Sequence, residues 1–223
     1  MRNSHPNREK VKSWFELHTL PITIIKLALE QSIDMGFHGL LCFSHFNEPL
    51  MDERLPEIIK LAKSYNVFDK ISINTNGDYL NENIAKSLDG YLDRIIVTLY
   101  MDNPIKAERA LWIPGLFTQT EVQVITFSEH IATHFSPMYP VKDLAERYID
   151  SDCREPAMRC IINHRRQFLL CCEDLVGNFS LGKFPETSIK DYWFGEKHQA
   201  IHDNLLENGG RRKHPYCAIC PKS

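Results

Sequence analysis

The chain has 223 residues and a formal net charge of -3 at pH 7, with 43% hydrophobic and 25% charged residues. This composition is typical of a soluble globular protein with a buried core, and the slightly acidic balance predicts no nucleic-acid-binding surface. The longest basic run, residues 211–214, is too short to change that prediction. No apolar run reaches the roughly 18–20 residues of a membrane span, and the first residues lack the apolar core of a signal peptide. We therefore predict a cytoplasmic protein with no membrane partner.

Helical and strand patterns alternate along the first part of the chain. Apolar side chains recur at helical spacing in some segments and form short runs or alternations in others. The continuous apolar run at residues 39–43 predicts a strand that is buried on both faces. The patterns predict helices at 21–35, 55–65 and 80–88 and strands at 39–43, 70–75, 94–99 and 121–127. Such alternation predicts βα units and a parallel sheet.

The pattern changes after residue 137. Short apolar runs at residues 161–162 and 168–171 predict a β-hairpin, and helical patterns surround it. The predicted helices lie at 141–148, 188–193 and 197–206. We therefore predict two domains, a parallel βα domain over residues 1–136 and a small α+β domain over residues 141–223.

Most of the seven cysteines lie in the last third of the chain. Cys217 and Cys220 form a Cys-x-x-Cys pair, and Cys153 lies upstream. Cys171 and Cys172 end an apolar run. An odd number of cysteines and the lack of a secretion signal argue against a closed disulfide framework. The sequence therefore predicts an iron–sulfur or a zinc centre in this part of the chain.

Polar residues lie at the ends of three neighbouring strands of the predicted sheet. Glu48 follows the first strand, Asn76 follows the second, and Thr98 ends the third. Parallel sheets bind ligands at the carboxyl ends of their strands. A carboxylate suits an ammonium group, and amide and hydroxyl groups suit a sugar. Each motif alone also has a simpler interpretation, in which Asn76 opens an ordinary turn and Glu48 is a solvated acid.

Taken in order, these strand ends resemble those of the radical S-adenosylmethionine superfamily. Residues 46–50 read Phe-Asn-Glu-Pro-Leu, residues 74–77 read Asn-Thr-Asn-Gly, and the strand at 94–99 ends in Thr-Leu. The C-terminal part is similar to that superfamily's auxiliary-cluster domain, called SPASM or, in its one-cluster form, twitch. The resemblance implies a partial parallel (β/α) barrel followed by a small α+β SPASM or twitch cluster-binding domain.

The cysteine pattern carries the second half of the resemblance. Cys153 is followed by Pro156, and residues 171–174 read Cys-Cys-Glu-Asp before the closing Cys-x-x-Cys pair. The resemblance implies an auxiliary [4Fe–4S] cluster with four cysteine ligands: Cys153, Cys171, Cys217 and Cys220. Neighbouring strand residues face opposite sides, so Cys171 and Cys172 cannot both point at one cluster, and Cys172 is the alternative ligand. Zinc is the alternative metal, and the remaining two cysteines, Cys42 and Cys160, are expected in the core.

The same resemblance implies a binding site for S-adenosylmethionine at the strand ends. Glu48 would accept the ammonium group of the cofactor, and Ser72 and Asn76 would hydrogen-bond its ribose. Thr98 would lie against the same ligand at the next strand end.

The sequence departs from the superfamily pattern in two places. Members bind their catalytic cluster through Cys-x-x-x-Cys-x-x-Cys after the first strand, and here no cysteine precedes Cys42. We therefore expect the first strand to be absent and the open sheet edge to be covered by residues 1–19 or by a partner chain. We also expect feeble binding of S-adenosylmethionine by this chain alone. Asn47 stands where the superfamily usually has glycine, which affects a close backbone approach.

Two functions follow from the resemblance. The first is an enzyme that uses a 5′-deoxyadenosyl radical to modify a peptide or a small polar metabolite, if the catalytic cluster is supplied by a longer N-terminus or by a partner chain. The second is a non-catalytic or electron-carrying protein that keeps only the auxiliary cluster. A Cys-x-x-x-Cys-x-x-Cys motif upstream of Met1 in the reading frame would favour the enzyme.

Overall fold

A computed structural model describes residues 18–45, 47–100, 104–127, 146, 148–174 and 177–220. The chain divides into two units, which we call the sheet unit (residues 21–133) and the cysteine unit (residues 1–20 with 134–223). The predicted domain boundary, between residues 136 and 141, lies outside the described residues. The predicted helix at 141–148 lies almost wholly outside them.

The sheet unit alternates helices with the strands of one four-stranded sheet. All three strand pairs are parallel, and the order in the sheet follows the order in the chain. This arrangement confirms the predicted α/β fold with a parallel sheet. The elements are α1 (Ile22–Asp34), β1 (Leu40–Cys42), α2 (Leu55–Ser64), β2 (Lys70–Thr75), α3 (Glu82–Leu88), β3 (Arg94–Tyr100), α4 (Pro104–Trp112) and β4 (Glu121–Phe127).

Helix α4 was not predicted. Leu111 and Trp112, two apolar residues of its last turn, are 85% and 44% exposed, so the apolar residues there do not mark a face that packs on the core.

The core of the sheet unit lies between one face of the sheet and the helices. Ile71 and Ile73 of β2 and Ile95 and Val97 of β3 are buried in it, together with Ile59 of α2. Burying such a side chain contributes about 1.5–3 kcal/mol. Because side chains alternate along a strand, the residues between them lie on the opposite face of the sheet.

Strand β1 differs from the prediction. It was expected to be buried on both faces, but Leu40 is 48% exposed and Cys42 is exposed as well. Among the described strands, β1 pairs only with β2, so it forms an edge of the sheet. The expectation that residues 1–19 or a partner chain cover this edge stays a prediction, because residues 1–17 lie outside the described part of the chain.

The cysteine unit is built from short elements joined by turns. Strands β5 (Ile161–Ile162) and β6 (Phe168–Leu169) pair antiparallel, which confirms the predicted hairpin. The ring of Phe168 stacks on Tyr192 at 4.3 Å, and the Tyr192 hydroxyl donates to the Leu169 carbonyl at 3.1 Å. The helices are α5 (Glu155–Met158), α6 (Ile189–Trp193), α7 (Glu196–Leu206) and α8 (Pro215–Ala218). In neither unit do the described residues form a helix that is both long and apolar enough to cross a membrane.

Candidate functional site

Glu48 connects the loop after β1 to the end of β2. Its Oε1 accepts hydrogen bonds from the Thr75 hydroxyl at 2.6 Å and from the Leu50 backbone N–H at 3.1 Å. Its Oε2 accepts from the Asn76 backbone N–H at 2.8 Å. An ionised carboxylate has about four acceptor positions, so three of them are used inside the protein. These three bonds therefore link the loop after β1 to the end of β2.

The turn after β2 is held from several sides. The Asn76 side-chain oxygen accepts from the Asp78 N–H at 2.8 Å, so the donor group of this side chain is its amide nitrogen. Gly77 has a φ of 74°, and a Cβ there would lie 2.8 Å from Val97 Cγ1. Arg109 of α4 donates to the Gly77 carbonyl. Glycine at this position thus permits a turn that no other residue would fit without strain.

Ser72 and Thr98 lie at different levels of the sheet. Ser72 is 2% exposed and pairs with Arg94, four residues before Thr98. At about 3.3 Å per residue, Ser72 therefore lies about 13 Å below the level of Thr98. The structure brings Glu48 and Asn76 into contact, and the continued register sets Thr98 level with Asn76. It does not bring Ser72 to that level.

Four cysteines line one cavity in the cysteine unit. They are the four that the resemblance implies as cluster ligands: Cys153, Cys171, Cys217 and Cys220. Much of the remaining wall is apolar and includes Leu170, Phe179 and Leu205. Cys172 is not among the lining residues, and its Sγ lies 3.5 Å from Glu155 Oε2.

Local structure positions each thiol. The Cys153 N–H donates to the Leu205 carbonyl at 2.7 Å, which ties the segment before α5 to the end of α7. Cys171 directly follows the β5–β6 hairpin. Cys217 belongs to α8, and the Cys220 N–H donates back to the Cys217 carbonyl at 3.1 Å. Three separate segments therefore converge on the cavity.

The cavity disfavours thiolates that carry no compensating charge. Burial raises the pKa of Cys217 to about 12, and the nearby thiols of Cys153 and Cys220 act in the same direction. Burial also raises the pKa of Cys171. Because metals bind the thiolate form, a metal centre here must itself offset the cost of ionising these groups.

The four thiols are a donor set that both zinc and an iron–sulfur cluster can use. Among the described residues, no group of three or more histidine, cysteine, aspartate or glutamate side chains is placed to hold a metal ion. A structural zinc ion takes four ligand atoms at about 2.0–2.3 Å from one point, and a [4Fe–4S] cluster takes one thiolate on each of its four irons.

Sequence reasoning missed Arg211, a charged residue of the cavity wall, and misplaced Cys42. Arg211 is 1% exposed and forms part of the wall. Its only signal in the sequence was membership of the basic run at 211–214, which is typical of a solvated surface. Cys42, which was expected in the core, is exposed. Cys160 is exposed as a residue, but burial raises the pKa of its thiol to about 12, so the sulfur itself is buried.

Comparisons with known proteins place the chain near one characterised enzyme. It is 23% identical over 203 residues to the S-adenosyl-L-methionine-dependent 2-deoxy-scyllo-inosamine dehydrogenase of Niallia circulans, covering 88% of this chain and 78% of that protein. The crystal structure of BtrN in complex with AdoMet and 2-DOIA matches with a TM-score of 0.74 and 20% identity, over 93% of this chain and 82% of that one. The crystal structure of selenomethionine BtrN in an open conformation matches with a TM-score of 0.70 and 20% identity, over 97% of this chain and 84% of that one. No family model matches the chain.

These findings correct the family assignment made from the sequence. The interpretation as a radical S-adenosylmethionine superfamily protein with a C-terminal SPASM or twitch domain, lacking the N-terminal cysteine loop, is wrong as stated. No family model supports it, and the described residues contain no ready-made metal-ion group. What replaces it is a distant likeness, over most of the chain, to an S-adenosyl-L-methionine-dependent dehydrogenase.

Proposed function

We propose that this protein takes part in the S-adenosylmethionine-dependent oxidation of a small polar metabolite by radical chemistry, and that it carries one [4Fe–4S] cluster. The observation that carries the proposal is the convergence of four cysteines from three segments on one cavity. The distant likeness to a dehydrogenase that uses S-adenosyl-L-methionine supports the same chemistry.

The proposed substrate is a small ring compound with hydroxyl and amine groups. The relative acts on 2-deoxy-scyllo-inosamine, which belongs to this chemical class. Dehydrogenation of a CH–OH group to C=O removes two electrons and two protons. The radical derived from S-adenosylmethionine would take one hydrogen atom, an iron–sulfur centre would take the second electron, and the second proton would pass to solvent. Because the relative acts on a small amino alcohol, this class is favoured over a peptide.

The proposed cluster ligands are the four cysteines of the cavity: Cys153, Cys171, Cys217 and Cys220. When bound, S-adenosylmethionine and iron–sulfur centres together supply the hydrogen abstraction and electron transfer of such reactions. The protein would shield the cluster from water and hold its ligands in place. Leu170 and Phe179 keep water away from the thiols, and the hydrogen bond to Leu205 holds the backbone of Cys153.

The proposed S-adenosylmethionine site is the rim of the sheet. Glu48 offers its remaining acceptor position to the ammonium group, and the Asn76 amide nitrogen donates to a ribose hydroxyl. The register sets Thr98 level with Asn76, whereas Ser72 is buried about 13 Å below that level and is left out of the proposed site. A few hydrogen bonds at about 0.5–1.5 kcal/mol each give a dissociation constant on the order of millimolar.

The test measures ligand binding by the reconstituted chain directly. The chain is reconstituted anaerobically with iron and sulfide, and its binding of S-adenosylmethionine and of 2-deoxy-scyllo-inosamine is measured by calorimetry. We expect binding of at least one of the two ligands, and we expect Glu48→Gln to weaken the binding of S-adenosylmethionine. A chain that binds neither ligand would contradict the enzyme and favour an electron-carrying protein.

A further inference from the structure

Asp174 is a fully buried residue in the segment that carries Cys171. Its Oδ2 accepts a hydrogen bond from the Leu170 backbone N–H at 3.2 Å. Its Oδ1 accepts from the Asn178 backbone N–H at 2.8 Å and from the Asn178 side-chain amide at 3.1 Å. Asp174 is not among the lining residues of the cysteine cavity. A buried carboxyl group that accepts three N–H bonds holds the backbone on both sides of it in place.

The β5–β6 ladder ends before Cys171, so other hydrogen bonds hold the backbone at this cysteine. The last residue of β6 that pairs with β5 is Leu169. The next N–H, that of Leu170, donates to the Asp174 carboxyl group, and the Asp174 N–H donates to the Cys171 carbonyl at 3.1 Å. Asp174 therefore ties the backbone at Cys171 through its side chain and through its own N–H.

The turn at residues 171–174 also directs backbone N–H groups toward the Cys171 sulfur. Burial raises the pKa of Cys171, and hydrogen bonds from the backbone N–H groups of Glu173 and Asp174 act in the opposite direction. The charge of the Asp174 carboxylate acts in the same direction as burial. The carboxylate therefore does not favour the thiolate through its charge. It favours the thiolate through the backbone that it holds.

We infer that Asp174 is a positioning residue for Cys171, and that it holds the turn at residues 171–174 so that two backbone N–H groups donate to the sulfur of this ligand. The inference rests on the proposed [4Fe–4S] cluster. Groups that orient a metal ligand change metal affinity about 10–100-fold when they are mutated, and hydrogen bonds to the sulfurs tune iron–sulfur clusters. Asp174 itself does not contact the cluster in this account and acts on it through Cys171.

Asp174→Asn tests the inference, because asparagine has nearly the same shape but only one acceptor oxygen. In either orientation its NH2 group faces an N–H donor, that of Leu170 or those of Asn178. The matched control is Asn163→Ala. The Asn163 side-chain oxygen accepts two backbone N–H bonds, both at 2.9 Å, in the turn at the other end of the same hairpin. Asn163 does not line the cavity, so the control weakens the hairpin away from Cys171.

The test compares the chains after anaerobic reconstitution with iron and sulfide. One readout is the rate at which a chelator removes iron. The other is the coupling of exchangeable protons to the reduced cluster, measured by electron–nuclear double resonance in H2O and in D2O. We expect Asp174→Asn to lose iron about tenfold faster than the wild type, and Asn163→Ala to lose it at close to the wild-type rate. The proton coupling should weaken in Asp174→Asn and stay unchanged in Asn163→Ala.

Two results would overturn the inference and leave the cluster in place. They are equal rates of iron loss from Asp174→Asn and Asn163→Ala, and an unchanged proton coupling in Asp174→Asn. A wild-type chain that binds no iron contradicts the proposed function together with this inference. If Asp174→Asn does not fold, Asn178→Ala replaces it, because Asn178 is exposed and its side chain donates one of the three bonds. Faster iron loss from Asn178→Ala than from Asn163→Ala supports the role, and equal rates contradict it.

Discussion

The sheet unit and the cysteine unit are stabilised in different ways. In the sheet unit, helices α1–α3 pack apolar side chains against one face of a parallel sheet, and this core needs no ligand. The cysteine unit has strands of only two residues, and its four-cysteine cavity is assembled from three segments. The polar groups of the sheet unit lie at strand ends held by hydrogen bonds, whereas the thiols of the cysteine unit surround a space.

This difference assigns different tasks to the two units. A strand-end site on a preformed core can bind a cofactor that enters and leaves. A cavity lined by thiols from separate segments is completed by what binds there, because the bound metal links the segments. We therefore expect the cysteine unit to depend on the proposed cluster and the sheet unit to depend on its core.

Removal of the cluster should have the largest effect. Binding of a structural metal contributes on the order of 10 kcal/mol in small domains, so a chelator should strongly destabilise the cysteine unit. Amide hydrogen exchange measures the loss of stability separately for each segment of the chain. We expect amides around the β5–β6 hairpin and α8 to exchange faster after iron is removed, with β2 and β3 unchanged in the same sample. Equal protection of the hairpin with and without iron would refute a structural role for the cluster.

Ile95→Ala tests the core of the sheet unit. Ile95 is fully buried, so truncation removes apolar contacts and leaves a cavity, at a cost of about 3 kcal/mol. Its neighbour Ile96 lies on the opposite face and is half-buried, so Ile96→Ala is the matched control and should cost about 1 kcal/mol. Urea denaturation gives both values. Similar losses for the two variants would show that both faces are equally packed.

Glu48→Ala tests the structural role of this carboxylate, apart from its proposed role in binding. The variant loses the bonds to Thr75, Asn76 and Leu50, and we expect a loss of about 2 kcal/mol in the free energy of unfolding. Glu48→Gln keeps an acceptor oxygen and should lose about half as much. If both variants are as stable as the wild type, Glu48 does not anchor the strand ends.

Asp89 gives the sheet unit a defined sensitivity to acid. Burial raises the pKa of its carboxyl, but hydrogen bonds from Thr118, Gln119 and Thr120 outweigh burial and hold the pKa well below its usual range. A group with a lowered pKa stabilises the folded state above its unfolded pKa, about 3.9, and this stabilisation is lost as the pH falls below that value.

Asp89→Asn should therefore cost about 1.5 kcal/mol at pH 6 and less at pH 3, where the wild-type chain has itself lost part of the stabilisation. Thermal melts between pH 3 and 6 measure this difference, with the exposed Glu53→Gln as control. A difference between wild type and Asp89→Asn that does not change with pH would refute the assignment.

The sequence predicted the sheet unit well because its apolar periodicity is strong. Helix α2 and strand β2, for example, lie where the patterns placed them. Cys171 was preferred over Cys172 as a ligand, and Cys171 is the one of the two that lines the cavity, although its role as a ligand stays a prediction. The edge position of β1 could not be read from its apolar run, because burial depends on which strands pair with it.

Two features of the sites depend on contacts between distant residues. Glu48 bonds to residues 27 and 28 positions along the chain, and Arg211 bonds to carbonyls 60 and 59 positions before it. Local patterns carry no information about such contacts. A run of basic residues predicts a solvated surface, and the prediction is the same whether or not one of these residues is buried.

Iron content tests the central claim most directly. We predict that the reconstituted wild-type chain binds about four irons. Cys171→Ser and Cys217→Ser should lose most of this iron, whereas Cys172→Ser and Cys160→Ser should keep it. Full iron content in Cys171→Ser and Cys217→Ser, or its loss in Cys172→Ser, would contradict the assignment of the cluster to this cavity.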